Sequence, residues 1–272
     1  MEKRIKSPNF VNIRLLEEKK QISFIQRQNA PEIIYKYRDW SKDFHKRNLE
    51  GKLYFVSASS FNDPFDSRMP MSIDLLSNNS ELTNELDYLV KRINYSYETR
   101  GFPRKDVATV KDKIDFLYEY IESEFAIFCI SSVRDSILMW THYADSHKGF
   151  VIGFDTRILV SELETLHGPV NYVSEITPKN INSFKLFNAP FAKHESWYYE
   201  EEWRFIKENR DWINKEFDVS TNAIREVLLG YKMPQKHKIE LIEYCKLNLP
   251  HVVIMEATLA EDRFKLEFLP LH

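Results

Sequence analysis

The sequence predicts one mixed α+β domain. Two long stretches, residues 81–98 and 107–121, carry apolar side chains in steps of three and four, which marks helices with one buried face. The second half is instead a series of short β-rich runs separated by turn residues. No internal repeat, low-complexity tract or linker divides the 272 residues, and early helices with a late-weighted sheet make an α+β order.

Residues 1–30 are polar with scattered apolar positions and read as an N-terminal arm, leaving 31–272 as a single catalytic-type domain. Residues 33–37 are β-rich and predict a strand. Ser41 is placed to cap a short helix running to about Leu49, closed by Gly51. A second strand follows over 53–57, then a turn-rich patch over 59–66 and the two amphipathic helices. Residues 125–130 are nearly all apolar and predict a buried strand. A short helix over 136–143 and a strand over 149–154 come next. Further strands are expected at 170–173 and 224–229, and between them a helix over 183–198 interrupted by Pro190. Residues 202–206 alternate polar and apolar and predict a half-buried strand. Pro234 opens a helix to about Leu247. Residues 252–259 and 264–268 form a closing hairpin or two sheet strands.

Hydrophobic residues at 43% and charged residues at 29% describe a folded chain. No apolar run approaches the about 18 residues of a membrane helix, and the charged first residues lack the apolar core of a secretory signal. Cys129 and Cys245 cannot build a disulfide framework, so a cytoplasmic location without membrane partners is the expectation, and both thiols are assigned to the core. Six glycines are about 2% of the chain against a usual ~7%, and none stands in a G-x-G or P-loop pattern. Any nucleotide is therefore bound without a glycine-rich phosphate cradle. The net charge is −3; residues 1–50 hold 12 Lys/Arg and 7 Asp/Glu, or +5, so the remainder carries −8. Charge does not support nucleic acid as a partner.

Four clusters bear chemistry. In Tyr35-Lys36-Tyr37-Arg38 the tyrosines share one strand face and the cations the other, fit to hold a base and a phosphate or simply to pack at a sheet margin. The run from Ser57 to Asp66 is turn chemistry around Asn62-Asp63-Pro64, crowded with Phe61, Phe65 and Asp66. In the stretch from Trp140 to Gly149, His142 and His147 are five apart, which is not the spacing of a helical metal pair. His142 near Asp145 is structural or catalytic, and Ser136 lacks the glycines of a nucleophile elbow. In the stretch from Trp197 to Arg204, an extended backbone puts Glu200, Glu202 and Arg204 on one face and Trp203 and Phe205 on the other. The glutamates then form a carboxylate pair, with Arg204 near enough to keep one ionised. The alternative is a solvated acidic edge strand.

Together the four motifs resemble a widespread, largely uncharacterised bacterial family, a domain of unknown function, over about residues 33–268. A second resemblance implies chemistry. An early aromatic strand, a helix, a strand ending in serine and a late strand with Glu-x-Glu look like the ADP-ribosyltransferase fold. That fold implies a split, twisted, mainly antiparallel sheet with flanking helices and NAD bound as substrate in its cleft. Carried over, the resemblance makes Glu202 the catalytic glutamate that stabilises the ribosyl cation, and Glu200 the group that orients the acceptor or water. Tyr35 or Tyr37 falls where such enzymes often carry His or Arg, and would stack on nicotinamide or adenine. Arg38 would meet the pyrophosphate, and Ser57 matches the serine that ends the next strand. Asn62 and Asp63 would shape the loop over the cleft, and His142 would bond a ribose hydroxyl. Tyr143 and Arg204 complete the implied substrate-binding set. The implied function is an ADP-ribosyltransferase-like or NAD glycohydrolase enzyme, of a kind often met as bacterial toxins or phage-defence effectors. NAD or a related nucleotide is its partner, the acceptor macromolecule is unknown, and no metal is expected. Two other readings stand beside it. One is a metal-dependent nuclease or phosphodiesterase with Asp63, Asp66, Glu200 and Glu202 as oxygen ligands for Mg²⁺ or Mn²⁺. The other is a non-catalytic sensor that binds a nucleotide or a protein.

Overall fold

The computed structural model describes residues 30–68, 70, 72–175 and 186–271. The predicted arm, Ala30 apart, and the start of the helix expected over 183–198 lie outside the described residues. The strands are β1 (Ile33–Arg38), β2 (Lys52–Phe55), β3 (Phe125–Ser131), β4 (Phe150–Asp155), β5 (Leu166–Pro169), β6 (Asn171–Val173), β7 (Ala192–His194), β8 (Glu202–Glu208), β9 (Lys215–Asp218), β10 (Ile224–Leu229), β11 (Val253–Leu259) and β12 (Leu266–Pro270). The helices are α1 (Asp43–Lys46), α2 (Ile73–Ser77), α3 (Ser80–Thr99), α4 (Val110–Glu124), α5 (Ile137–Tyr143), α6 (Thr156–Leu163) and α7 (Gln235–Asn248). Among the described residues no helix is long and apolar enough to cross a membrane.

Eight strands make one sheet in the order β12-β11-β10-β4-β1-β3-β8-β5. Its pairings are antiparallel except for β10 with β11. The architecture is thus α+β with a large, mainly antiparallel sheet. Side chains alternate between its faces. One face buries Ile34, Phe128, Phe150, Ile152 and Phe205 with Leu159 of α6 and Leu241 of α7 in a single cluster. The other face is divided. Ile127 and Ile206 pack with Leu86 of α3 and Leu117 of α4, while Tyr37, Val151 and Leu228 pack with Trp140 of α5. The division falls between β1 and β3. There β1 pairs with β4 along its whole length, from Ile33–Asp155 to Arg38–Phe150, but with β3 only at Tyr35–Ser131. Beyond that pair the seam opens, and the Cys129 carbonyl accepts a hydrogen bond from Lys36 Nζ.

The two amphipathic helices form as the periodicity requires. Thr109 opens α4 with a capping box, its hydroxyl accepting from Asp112 N while Asp112 accepts from Thr109 N. Three expectations change. Ser41 does not cap α1; its hydroxyl donates to Asp39, and a 3-10 turn over Arg47–Glu50 intervenes before Gly51, which does end the segment at φ +78°. β2 pairs with β9, burying Leu53 and Phe55 against the undivided core, and is tied to the main sheet at Val56, which follows it and bridges Ile127 of β3. The described part of 183–198 is a 3-10 turn containing Pro190, then β7, then a second 3-10 turn over Glu195–Glu200; proline removes the donor that a continuous helix needs.

The third motif has a backbone explanation. Asp145, Ser146 and His147 all take positive φ, between 45° and 69°, and carry the chain tightly from α5 to β4. At Gly149 that loop presses so near β1 that an added Cβ would stand 2.1 Å from the Arg38 carbonyl oxygen. Gly149→Ala must therefore push the loop off β1. The expected loss is about 1–3 kcal/mol in urea denaturation, the usual scale of overpacking, and an unchanged midpoint would refute the close approach.

Candidate active site

The seam fixes the site. Tyr35 of β1 is in register with Ser131 of β3, and Ser131 with Glu202 of β8. The three make one row across the sheet, on the divided face. In the next row Cys129 is opposite Arg204. A cavity of about 150 Å³ opens here, lined by side chains from all four motifs, among them Tyr35, Phe61, Asn62, Tyr143, Glu200 and Glu202. Pockets that enclose a drug-sized ligand run to about 300–1,000 Å³. This one takes a single ring-sized group.

Five charged side chains meet beneath it. Arg204 is 0% exposed. Its Nε and Nη2 donate to the two Glu202 oxygens at 2.8 and 3.1 Å, and its Nη1 and Nη2 lie 2.8 Å from the two Asp66 oxygens. Nη1 also donates to the Pro190 carbonyl at 2.7 Å and to Ser67 Oγ at 3.1 Å. Lys193 Nζ donates to Glu200 at 2.5 Å and Glu202 at 3.0 Å, with Asp66 at 3.4 Å. Tyr143 donates to the other Glu200 oxygen at 2.6 Å. Three carboxylates face two cations, so the cluster carries −1 when all are ionised.

The environments of the two glutamates push them apart. Burial opposes ionisation of Glu202, but Arg204 and Lys193 outweigh it and hold the carboxyl well below its ordinary range. Burial pushes Glu200 up against the pull of Lys193, and the charge of Glu202 adds to the rise. Two carboxyl groups held apart in this way divide into a fixed anion and a proton carrier. Lys36 also lines the cavity; burial first, then Arg38, push its ammonium down to about 7.

Most predicted residues converge here, and several change role. Tyr35 and Tyr37 line the cavity but are buried. Tyr35 bonds Glu226, and Tyr37 donates to the Val133 carbonyl at 2.8 Å and meets Trp140 edge-on at 81°. Neither offers an open ring face; half-buried Phe61, 5.2 Å from the Arg204 guanidinium, is the aromatic wall. Arg38 lines the cavity and donates to Asn48. Asn62 lines it too, whereas Asp63 accepts from Phe65 N at 2.9 Å within its own turn. Ser57 stands apart: it caps a 3-10 turn and donates to the Glu122 carbonyl at 2.6 Å. Ser131, at the end of β3, lines the cavity and donates to the Glu200 carbonyl at 2.6 Å. His142 is exposed outside the cavity. Arg204 holds the acids from below. Glu200, Glu202 and Arg204 do not run along one strand; Glu200 ends a 3-10 turn, and Glu201 at φ +39° swings the chain into β8. The acids converge all the same.

Residues 139–205 match the family model described as "Protein of unknown function (DUF2971)". The match supports the resemblance to an uncharacterised family, and it spans Tyr143, Lys193, Glu200, Glu202 and Arg204. No curated protein and no solved structure matches the chain.

Sequence reading missed Lys193, Ser131 and the cavity position of Cys129, which it assigned to the core. Lys193 stands in no motif, and nothing in Ala-Lys-His announces it. Its ammonium lies among Asp66, Glu200 and Glu202, where a divalent cation held by those acids would have to sit. Asp63, the fourth ligand of the metal reading, has one oxygen engaged in its turn and the other buried without a hydrogen-bond partner among the described residues.

Removing the guanidinium leaves three buried carboxylates with Lys193 as the one cation in contact with them among the described residues. Arg204→Met is expected to destabilise by about 3–5 kcal/mol in chemical denaturation, and Arg204→Lys not to restore it, because an ammonium cannot bridge Asp66 and Glu202 bidentately. The depressed carboxyl of Glu202 gives a pH signature. The unfolded chain binds the extra proton, so its contribution is full above the ordinary carboxylate pKa and is lost as pH falls through the folded one. Glu202→Gln should flatten the acid limb of stability against pH below roughly 4; an unaltered limb would mean that Glu202 is not held as an anion.

Proposed function

We propose that the protein consumes NAD, transferring ADP-ribose to an acceptor or to water, on a split, twisted sheet of the ADP-ribosyltransferase kind. The row Tyr35–Ser131–Glu202 across the open seam supports this reading best. It brings the early aromatic strand, a serine-ended strand and the strand that Glu202 opens side by side. Ser131, not Ser57, is the serine.

Nicotinamide, a flat ring, suits the ring-sized cavity beside Phe61. When its bond to the ribose C1′ breaks, the electron pair leaves with nicotinamide and positive charge develops on the ribosyl group. Glu202, held ionised in a dry site, stabilises that charge. The acceptor or water bonds to C1′ and gives its proton to Glu200. The upward shift of Glu200 improves its match to the operating pH of a general base. Ser131 fixes the turn that carries Glu200.

Nicotinamide release from NAD by the purified protein, with and without cell lysate as acceptor, tests the reading. Glu202→Gln should lower release on the order of a hundredfold or more, the scale of removing one electrostatic stabiliser. Ser131→Ala should lower it as well, and Ser57→Ala should act on stability alone. Absence of release under both conditions would overturn the reading.

A further inference from the structure

One wall of the cavity contains the Tyr143–Glu200 hydrogen bond. Just outside it, the chain neighbours of these two residues, His142 and Tyr199, meet ring to ring with centroids 5.9 Å apart and planes tilted by 42°. Trp197 continues the strip, 6.1 Å from Tyr199 and tilted by 38°, with Lys193 Nζ 5.0 Å from its ring centroid on one face. At these tilts the rings do not cover one another as a stack would. His142 is exposed, and Tyr199 and Trp197 are half-buried. The tyrosines of β1, by contrast, are buried in the core.

Resting on the reading of Glu200 as the group that orients the acceptor, we propose that the strip His142–Tyr199–Trp197 is the acceptor subsite and that it takes a nucleobase. Stacking on an aromatic side chain tolerates any base, because each has a π-face. A nucleoside joins a flat ring to a hydroxyl or amino nucleophile in one small molecule. Tyr199 directly precedes Glu200 in the chain, so a nucleoside seated on its ring is held on the Glu200 side of the cavity. The acceptor oxygen or nitrogen bonds to C1′, its proton passes to Glu200, and nicotinamide leaves with the electron pair. Charge favours a nucleoside or mononucleotide over a long polyanion. Residues 51–272 carry −8, and Glu195, Glu200 and Glu201 surround the strip in sequence.

Trp197 reports on the strip: of the other tryptophans, Trp40, Trp140 and Trp203 are buried, and half-buried Trp212 is stacked on Phe217 with centroids 3.5 Å apart. The intact protein is titrated with adenosine, guanosine, cytidine and uridine while tryptophan fluorescence is followed. Saturable quenching is expected, lost in Trp197→Phe and moved roughly tenfold higher in concentration by Tyr199→Ala, the scale of one stacked base. It should persist with NAD present, and the mixture should yield ADP-ribosylated nucleoside by mass spectrometry. Displacement by NAD would assign the strip to the dinucleotide's own base and overturn the acceptor subsite. No quenching by any nucleoside, with nicotinamide release intact, would overturn the strip alone. Quenching without nicotinamide release would overturn the NAD reading and leave nucleobase binding standing.

Discussion

Arg204 and Lys193 hold Asp66, Glu200 and Glu202 out of water, and the site is arranged around that arrest of charge. The members come from separate segments: the loop after β2, strand β7, the turn before β8, and β8 itself. Each segment is pinned because desolvating any member alone would cost several kcal/mol. Such a network is a poor source of net stability, since well-packed apolar side chains often serve as well or better. Its presence on a cavity wall therefore favours a chemical reason for its retention over a structural one.

The cavity exists because the apolar packing is interrupted. The undivided face welds the sheet through one continuous core, so the seam can open without splitting the domain. On the other face the α3–α4 cluster and the α5 cluster belong to strands on opposite sides of the seam. Lys36 limits the cost of the missing ladder by satisfying the freed Cys129 carbonyl with its own amine. A lysine serving in this way is brought into the cavity wall as a consequence of the backbone geometry.

Local pattern was legible in the sequence, and sheet membership was not. The 3.6-residue repeat located α3 and α4, and apolar or alternating runs located β1, β3, β4, β8 and β10. β5 was invisible: Leu-His-Gly-Pro has no strand pattern and is extended because it pairs with β8. α6 and β9 also went unseen. Ser57 and Ser131 show the limit most clearly. Each follows a β-rich run, but the strand before Ser57 pairs with β9 and the strand before Ser131 lies beside β1, and that choice is made by contacts far apart in sequence. The carboxylate pair was legible through its unusual density of aromatic neighbours. Its cation Lys193 was not, because a lone lysine in a short strand resembles any solvated one.

The geometry also bears on how Glu202 would act. A nucleophilic carboxylate must give up its partners to bond carbon. Glu202 has one oxygen on Arg204 Nε and the other on Arg204 Nη2 and Lys193, and it stands on a strand rather than a loop. Releasing it would leave Arg204 with Asp66 alone among the acids and Lys193 with Glu200 and Asp66. The same restraint makes it a good fixed field, since a charge already oriented needs no reorganisation when a cation develops nearby. Glu200 is differently placed: it sits on a turn, its carboxyl is pushed up, and one of its oxygens is shared with a phenol. On the proposed reading the division of labour would follow from placement, with electrostatic stabilisation falling to the immobile acid and proton transfer to its neighbour on the turn.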